Sequence, residues 1–407
     1  MTSRERYDAE PYREPRTWPI VTVIGGEDAP RHGDRNMAVS QGAASSEPMA
    51  DRLLHLRTML WRLPGSIRSL LLSSRRHYVP PSCSASLSSP LRILFCGSDD
   101  FSVASLRAVV DAKRRVPQLI DSVQVLHRPA KPSGRGLKTL REVPIKQVAV
   151  EELSLPTHAL DTFTGWAPPT PVDLVIAVSF GLFVPPRILA LSRYGGINVH
   201  PSLLPDLRGP APIEHTILKQ RKYTGVSIQT LHPQHFDQGT ILAQTPPPGI
   251  AVPPGITSQK LEKQLADVGA QMLVDVLESR KFIPPITDAG WFAQSGCPTD
   301  HAPKITKADR FVDFETDTMA AVLAKHQALG DPWCVLPNGH RLILHDVIDT
   351  ATAARADRKP GLFIEPNTTQ PMIRLACGKI AILAKSTYEG GKHGHGNAKL
   401  VRILADG

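Results

Sequence analysis

Cysteine is scarce in this chain. Among 407 residues there are five, Cys83, Cys96, Cys297, Cys334 and Cys377. They are odd in number and scattered, with no C-x-x-C pair, which argues against a disulfide framework and against a cysteine-based zinc site. Long apolar runs are missing too. The longest candidate, from Pro171 to Pro185, is broken by Asp173, and a membrane-spanning helix needs about 18 or more apolar residues. Acidic side chains vanish altogether between Arg52 and Ser98. What remains is an ordinary balance, 41% hydrophobic and 21% charged, the composition of a soluble globular protein long enough for two or three domains. Lys and Arg outnumber Asp and Glu by 47 to 38, an excess that permits a polyanionic partner without requiring one.

Part of that excess lies outside the regular pattern. The acid-free stretch carries Arg52, Arg57, Arg62, Arg68, Arg75 and Arg76 and is rich in serine. Leu53, Leu54, Leu56, Met59, Leu60 and Leu63 fall near helical spacing. An amphipathic, arginine-rich, acid-free segment has the character of a mitochondrial transit peptide, with a processing region expected around Arg75–Tyr78. Residues 1–48 carry Glu5, Asp8, Glu10 and Glu14 and fit less well. Residues 1–90 are therefore expected to be an extension, largely disordered.

From Leu91 onward strands and helices alternate. Leu91–Gly97, Asp121–Leu126, Asp173–Ser179, Gly196–His200 and Gly225–Leu231 read as strands. Phe101–Val110, Leu140–Leu153, Pro185–Leu191, Ala211–Lys222 and Ile256–Arg280 read as helices. The alternation implies an α/β fold with a mostly parallel, Rossmann-like sheet over 91–285. Pro284, Pro285, Gly290, Gly296 and Pro298 mark a linker over 286–300. Short apolar runs with turn signals follow, at Trp333–Leu336, Arg341–Val347, Gly361–Glu365, Met372–Ala376 and Lys379–Leu383. These suit a small antiparallel β-barrel over 301–407.

The chemistry gathers around one strand end. Ligands of open α/β sheets bind beyond the carboxyl ends of strands. Asn198 and His200 occupy such an end, and period-two alternation turns them to the same side. Four prolines in the twelve residues from Pro201 to Pro212 stiffen the loop that follows. Asp237 lies at a turn before another apolar segment. An amide, an imidazole and a carboxylate suit acyl transfer to an amine: two donors for an oxyanion and an acceptor for a proton. The residues alone leave a second reading open, in which Asn198 and His200 satisfy loop backbone and Asp237 caps a helix.

The run Asn198-Val199-His200-Pro201-Ser202-Leu203-Leu204-Pro205, with Arg208-Gly209 and Asp237-x-Gly239-x-Ile241-Leu242, resembles the signature of folate-dependent formyltransferases. Phe95–Phe101, Arg128-Pro129-Ala130 with Gly134-Arg135-Gly136, Ser179–Pro185, Ala302–Ile305 and Asp331-Pro332-Trp333 extend the match over about residues 91–385. The pattern is similar to the methionyl-tRNA formyltransferases. Asp99 stands where that family often has Pro, and Pro201 where its bacterial members often have Gly. The resemblance implies a Rossmann-like domain followed by an OB-like β-barrel that binds tRNA. It implies 10-formyltetrahydrofolate as co-substrate, initiator methionyl-tRNA as acceptor and no metal. Asn198, His200 and Asp237 match the catalytic residues. Ser202, Leu203, Leu204 and Pro205 match the folate-contacting run. Arg135, with Arg128 and Lys138, matches the loop that meets tRNA. A monomer in the mitochondrial matrix is expected, away from membranes. His393 and His395 lie in the Gly-rich segment Gly391–Gly396 and read as a mobile loop. Two other functions share these residues: formyl transfer to a small amine such as glycinamide ribonucleotide or an amino sugar, and non-catalytic tRNA binding.

Overall fold

The computed structural model describes residues 89–405 apart from 134, 135, 137, 354–358 and 366–367. The arginine-rich segment and the extension expected over residues 1–90 thus lie, but for the last two of those residues, outside the described residues, and so does Arg135.

The first strand, β1 (Leu91–Gly97), is buried on both faces from Ile93 onward, as its apolar run after Arg92 requires. It ends at Gly97, and Asp99 then caps α1 (Asp100–Arg115) through its Oδ1, which accepts the Ser102 amide at 3.0 Å. Lys113, Arg114 and Arg115 complement the dipole at the other end of the helix. The chain continues through β2 (Ile120–His127) and a short hairpin of β3 (Lys131–Ser133) and β4 (Thr139–Arg141). The helix expected over Leu140–Leu153 is shorter: α2 covers Pro144–Gln147 and passes into a π-helical turn at Val148–Glu152. A strand with no sequence forecast, β5 (Thr157–Ala159), follows.

After β5 the chain returns to the other side of β1. Strand β6 (Leu174–Val178), helix α3 (Pro186–Leu191) and strand β7 (Gly196–His200) come next. Helix α4 (Pro212–Leu218) leads to β8 (Tyr223–Thr224), β9 (Ser227–Thr230), β10 (Ile241–Gln244) and β11 (Ile250–Ala251). The long helix α5 (Ser258–Glu278) is capped by Thr257. The sheet has seven strands in the order β10-β9-β7-β6-β1-β2-β5. The five from β7 to β5 are parallel, and β9 and β10 add an antiparallel edge. Leu91, Ile93 and Phe95 pack on one face with Leu106 of α1 and Leu261 and Leu265 of α5. Leu94 and Cys96 face the opposite way, toward Phe163, Phe180 and Val184. Strand order reverses at β1, so a crevice opens at the carboxyl ends of β1 and β6.

The small domain begins with a helix the sequence pattern does not announce, α6 (Met319–Leu329). Its Ala324, Ala328 and Leu329 join the α/β core, whereas Met319 and Val322 join the core of the β domain. A helix covered on two sides carries no polar stripe to mark it. The antiparallel β signature holds: β12 (Trp333–Val335), β13 (Arg341–Ala353), β14 (Gly361–Ile364), β15 (Pro371–Arg374) and β16 (Lys379–Tyr388) form one sheet, ordered β12-β13-β16-β15-β14. Register shifts along β13 bend it. Among the described residues no ladder joins β14 to β12, so the small antiparallel β domain is a curled sheet. Helix α7 (Asn397–Ala405) packs Leu400 into its core.

Candidate active site

Strand β7 carries Asn198 and His200 to the carboxyl edge of the sheet. Its partner β9 sets Gln229 opposite Asn198 and Ser227 opposite His200. His200 is buried, and its Nε2 lies 3.1 Å from the Leu207 carbonyl oxygen. A carbonyl only accepts, so Nε2 carries the proton in this geometry. The other ring nitrogen, Nδ1, lies 3.4 Å from Asp237 Oδ1. In the neutral ring that nitrogen is an acceptor facing an acceptor. The carboxylate thus closes one side of the ring and the Leu207 carbonyl the other.

Asp237 is held from several directions. Its backbone sits in the left-handed region, φ 54°. Its Oδ2 accepts the Gly209 amide at 2.9 Å, its carbonyl accepts Arg208 Nε at 2.8 Å, and its Oδ1 accepts Gln229 Nε2 at 3.2 Å. Gln229 Oε1 in turn accepts the Gly239 amide at 3.0 Å. The turn works only with glycine at 239, where a Cβ would lie 1.7 Å from the Thr230 carbonyl oxygen. Gln229 thereby holds Asp237 in place, although the sequence signature does not single it out: Ser227 and Gln229 fall on the polar phase of the Gly225–Leu231 alternation, which reads as solvent-facing, yet both are buried.

Asn198, His200 and Asp237 therefore converge, and all three border a cleft of about 700 Å³, a volume suited to a small-molecule ligand. The segment after β6, from Ser179 to Val184, forms one wall; Phe236, Glu214 and Glu262 stand on others. Asn198 makes no side-chain hydrogen bond among the described residues, which leaves its carboxamide free for a ligand. Phe183 meets Phe236 edge-on at 5.1 Å. Burial pushes the Asp99 carboxyl above the ordinary carboxylate range, despite the Ser102 amide that it accepts. Burial, with the charges of Asp99, Asp100 and Glu214 added, pushes Glu262 up to about 7.

The other expected site residues fall elsewhere. Ser202, Leu203, Leu204 and Pro205 do not line the cleft; the first three are buried beneath the loop. They build the turn: Ser202 Oγ donates to the Asp206 carbonyl at 2.6 Å, the Leu204 amide donates to Ser227 Oγ at 3.0 Å, and Gln244 Nε2 donates to the Leu204 carbonyl at 2.9 Å. Pro201 borders the cleft in their place. Arg128 is not a free cation, because its guanidinium donates to the Asp161 carbonyl at 2.7 Å and to its Oδ1 at 3.0 Å. Lys138 is exposed beside the β3–β4 hairpin, whose strands flank part of the basic loop expected there.

A second titratable cluster lies in the small domain. Asp331, His345 and His393 bring one possible ligand atom each to within 4.8 Å of one another. His345, however, already binds Asp331 Oδ2 through Nδ1 at 2.5 Å and Thr387 Oγ1 through Nε2 at 2.7 Å. It reads as a hydrogen-bonded knot between strands.

Residues 91–277 match the sequence family described as Formyl transferase. The chain is 34% identical over 299 residues to the methionyl-tRNA formyltransferase, mitochondrial, of Bos taurus, covering 71% of this chain and 72% of that one. It is 33% identical over 305 residues to the protein of the same name from Saccharomyces cerevisiae, covering 66% and 72%. Among solved structures, HypX from Aquifex aeolicus in complex with tetrahydrofolic acid is 17% identical with a TM-score of 0.43, over 73% of this chain and 44% of that one.

Proposed function

This chain belongs to the formyl transferase family, and from that premise we propose that it moves a formyl group from 10-formyltetrahydrofolate to the α-amine of initiator methionyl-tRNA. The observation that carries the reading is the convergence of Asn198, His200 and Asp237 on one cleft. The amine nitrogen attacks the formyl carbon, and the carbonyl oxygen becomes an oxyanion. The free carboxamide of Asn198 is one donor for it, and His200 is a second where its Nε2–H turns from the Leu207 carbonyl to the oxyanion; one such donor contributes roughly 3–4 kcal/mol in acyl transfer. The amine gives up a proton, which the Asp237 carboxylate accepts. The bond from carbon to the folate nitrogen then breaks, and that nitrogen takes the same proton from Asp237 as it leaves. The cleft volume and the apolar wall from Phe180 to Val184 suit a flat heterocycle.

The acceptor is a polyanion, and the small β domain, which we read as OB-like, presents exposed Lys304, Lys385, Lys392 and Arg402. Lys138 on the hairpin edge adds to that field, with Arg135 beside it in sequence. Phosphate neutralisation would make binding fall with salt. We place the enzyme in the mitochondrial matrix, on the acid-free arginine-rich segment and the family's mitochondrial relatives. The deciding experiment offers purified chain a labelled formyl-folate with charged initiator tRNA, glycinamide ribonucleotide or an amino sugar nucleotide. Label is expected on the tRNA alone. Label on a small amine instead would move the assignment to another acceptor, and label nowhere would leave a tRNA-binding protein.

A further inference from the structure

Two strips of chain run side by side at the rim of the cleft. One is the loop Leu207–Ala211; the other is the end of the segment that leads to the small domain, Asp300–Ala302. The Leu207 amide donates to the Asp300 carbonyl at 2.7 Å, the Ala302 amide to the Arg208 carbonyl at 2.8 Å, and the Ala211 amide to the Ala302 carbonyl at 3.3 Å. The fit is close enough that a Cβ on Gly209 would lie 2.4 Å from the Ala302 carbonyl oxygen. His301, between them, borders the cleft.

A side-chain clamp holds the two strips together. Asp206 is buried, and its Oδ1 accepts the Asp300 amide at 2.8 Å. Arg221 forks onto Asp206, with Nε to Oδ2 at 3.1 Å and Nη2 to Oδ1 at 3.0 Å, and also reaches Asp300 Oδ2 at 2.7 Å. Lys219 approaches Asp300 from the solvent side at 3.2 Å. The clamped loop is the one that supplies the Leu207 carbonyl to His200 and the Gly209 amide to Asp237. Leu207 adopts φ 56° and Gly209 φ 123°, so the loop is not in a conformation its sequence prefers by itself. Neighbouring backbone has to hold it.

We propose that Asp206, Arg221 and Asp300 are positioning residues for the transfer step, and that the tether to the small domain is a working part of the catalytic cleft. The inference rests on the reading of the site as a formyl transferase. It separates two roles for the region after residue 283: binding tRNA, and completing the loop that aims His200 and Asp237. A clamp that only tied domains together would alter stability or tRNA affinity and leave the chemical step alone.

The test uses the full chain with saturating charged tRNA. Asp300→Ala and Arg221→Leu are expected to lower kcat by about 10- to 100-fold, the cost of a sub-ångström to ångström misplacement. KM for charged tRNA should stay within about twofold. Arg221→Lys should recover only part of the loss, because an ammonium cannot fork onto a carboxylate. Lys219→Ala, at the exposed edge of the same cluster, should behave as the parent. If Arg221→Leu does not fold, Asp300→Ala decides alone, since the Asp300 side chain is 42% exposed and its removal leaves no buried hole. Unchanged kcat in Asp300→Ala, or a loss confined to KM, overturns the proposal. A parent chain that formylates only a small amine refutes the tRNA assignment and moves the same variants to that amine. A parent inactive on every amine overturns both readings.

Discussion

His200 sits between the Leu207 carbonyl, which only accepts, and the Asp237 carboxylate, and these two partners fix the orientation of the ring. Asn198 is the complementary case: a carboxamide with no side-chain hydrogen bond among the described residues, on the same side of the same strand. Sequence alternation was enough to put these two together. It could not show that Gly209, Arg208 and Gln229 would hold Asp237, because those contacts join loops and strands up to 29 residues apart in sequence. Nor could it show that Ser202, Leu203 and Leu204 turn inward. Glu262 is likewise invisible as a site residue in its helix, where it reads as an ordinary solvated acid. Its value, raised from 4.5 to about 7, makes a pH prediction. Below its ordinary value Glu262 is protonated in folded and unfolded chains alike, and its favourable contribution is complete. As pH rises toward 7 the unfolded chain releases the proton while the folded chain still holds it, so stability falls and then levels off. Glu262→Gln should remove that slope and be the more stable protein at pH 8, by on the order of 1 kcal/mol after solvent screening. Urea denaturation at pH 5 and pH 8 measures both quantities. An identical pH dependence in the variant would place Glu262 in solvent.

The turn that carries Asp237 is the element on which the site depends most sharply. With a Cβ 1.7 Å from the Thr230 carbonyl oxygen, Gly239→Ala must displace either β9 or the turn. Turnover is expected to drop about 100-fold while far-ultraviolet circular dichroism stays that of the parent. Retained kcat would mean that the turn relaxes without moving Asp237. The same scale explains which elements were legible. Strands β1, β6 and β7 and helix α5 were, because each buries a whole face and leaves a clean period. The helix expected over Leu140–Leu153 was not: Leu140 is 68% exposed on the β4 edge, so its apolar character mimicked a period it does not serve. Helix α6 failed for the opposite reason, being covered by two cores at once. Turn signals fixed the hairpins of the small β domain, but they do not fix whether its last strand meets its first.

At the scale of the whole molecule, the proposed reaction asks different physical work of the two halves. The α/β half supplies a cleft at the reversal point of its sheet. The β half supplies basic surface, and its tether lies against the catalytic loop. The single most direct measurement is a single-turnover transfer of labelled formyl group to charged initiator tRNA, comparing the parent chain with His200→Ala and Asn198→Ala. Each variant should transfer roughly 10²- to 10³-fold more slowly while still binding the tRNA with the parent's affinity. Transfer by His200→Ala within a few-fold of the parent would contradict the assignment of this cleft as the place where the formyl group changes hands.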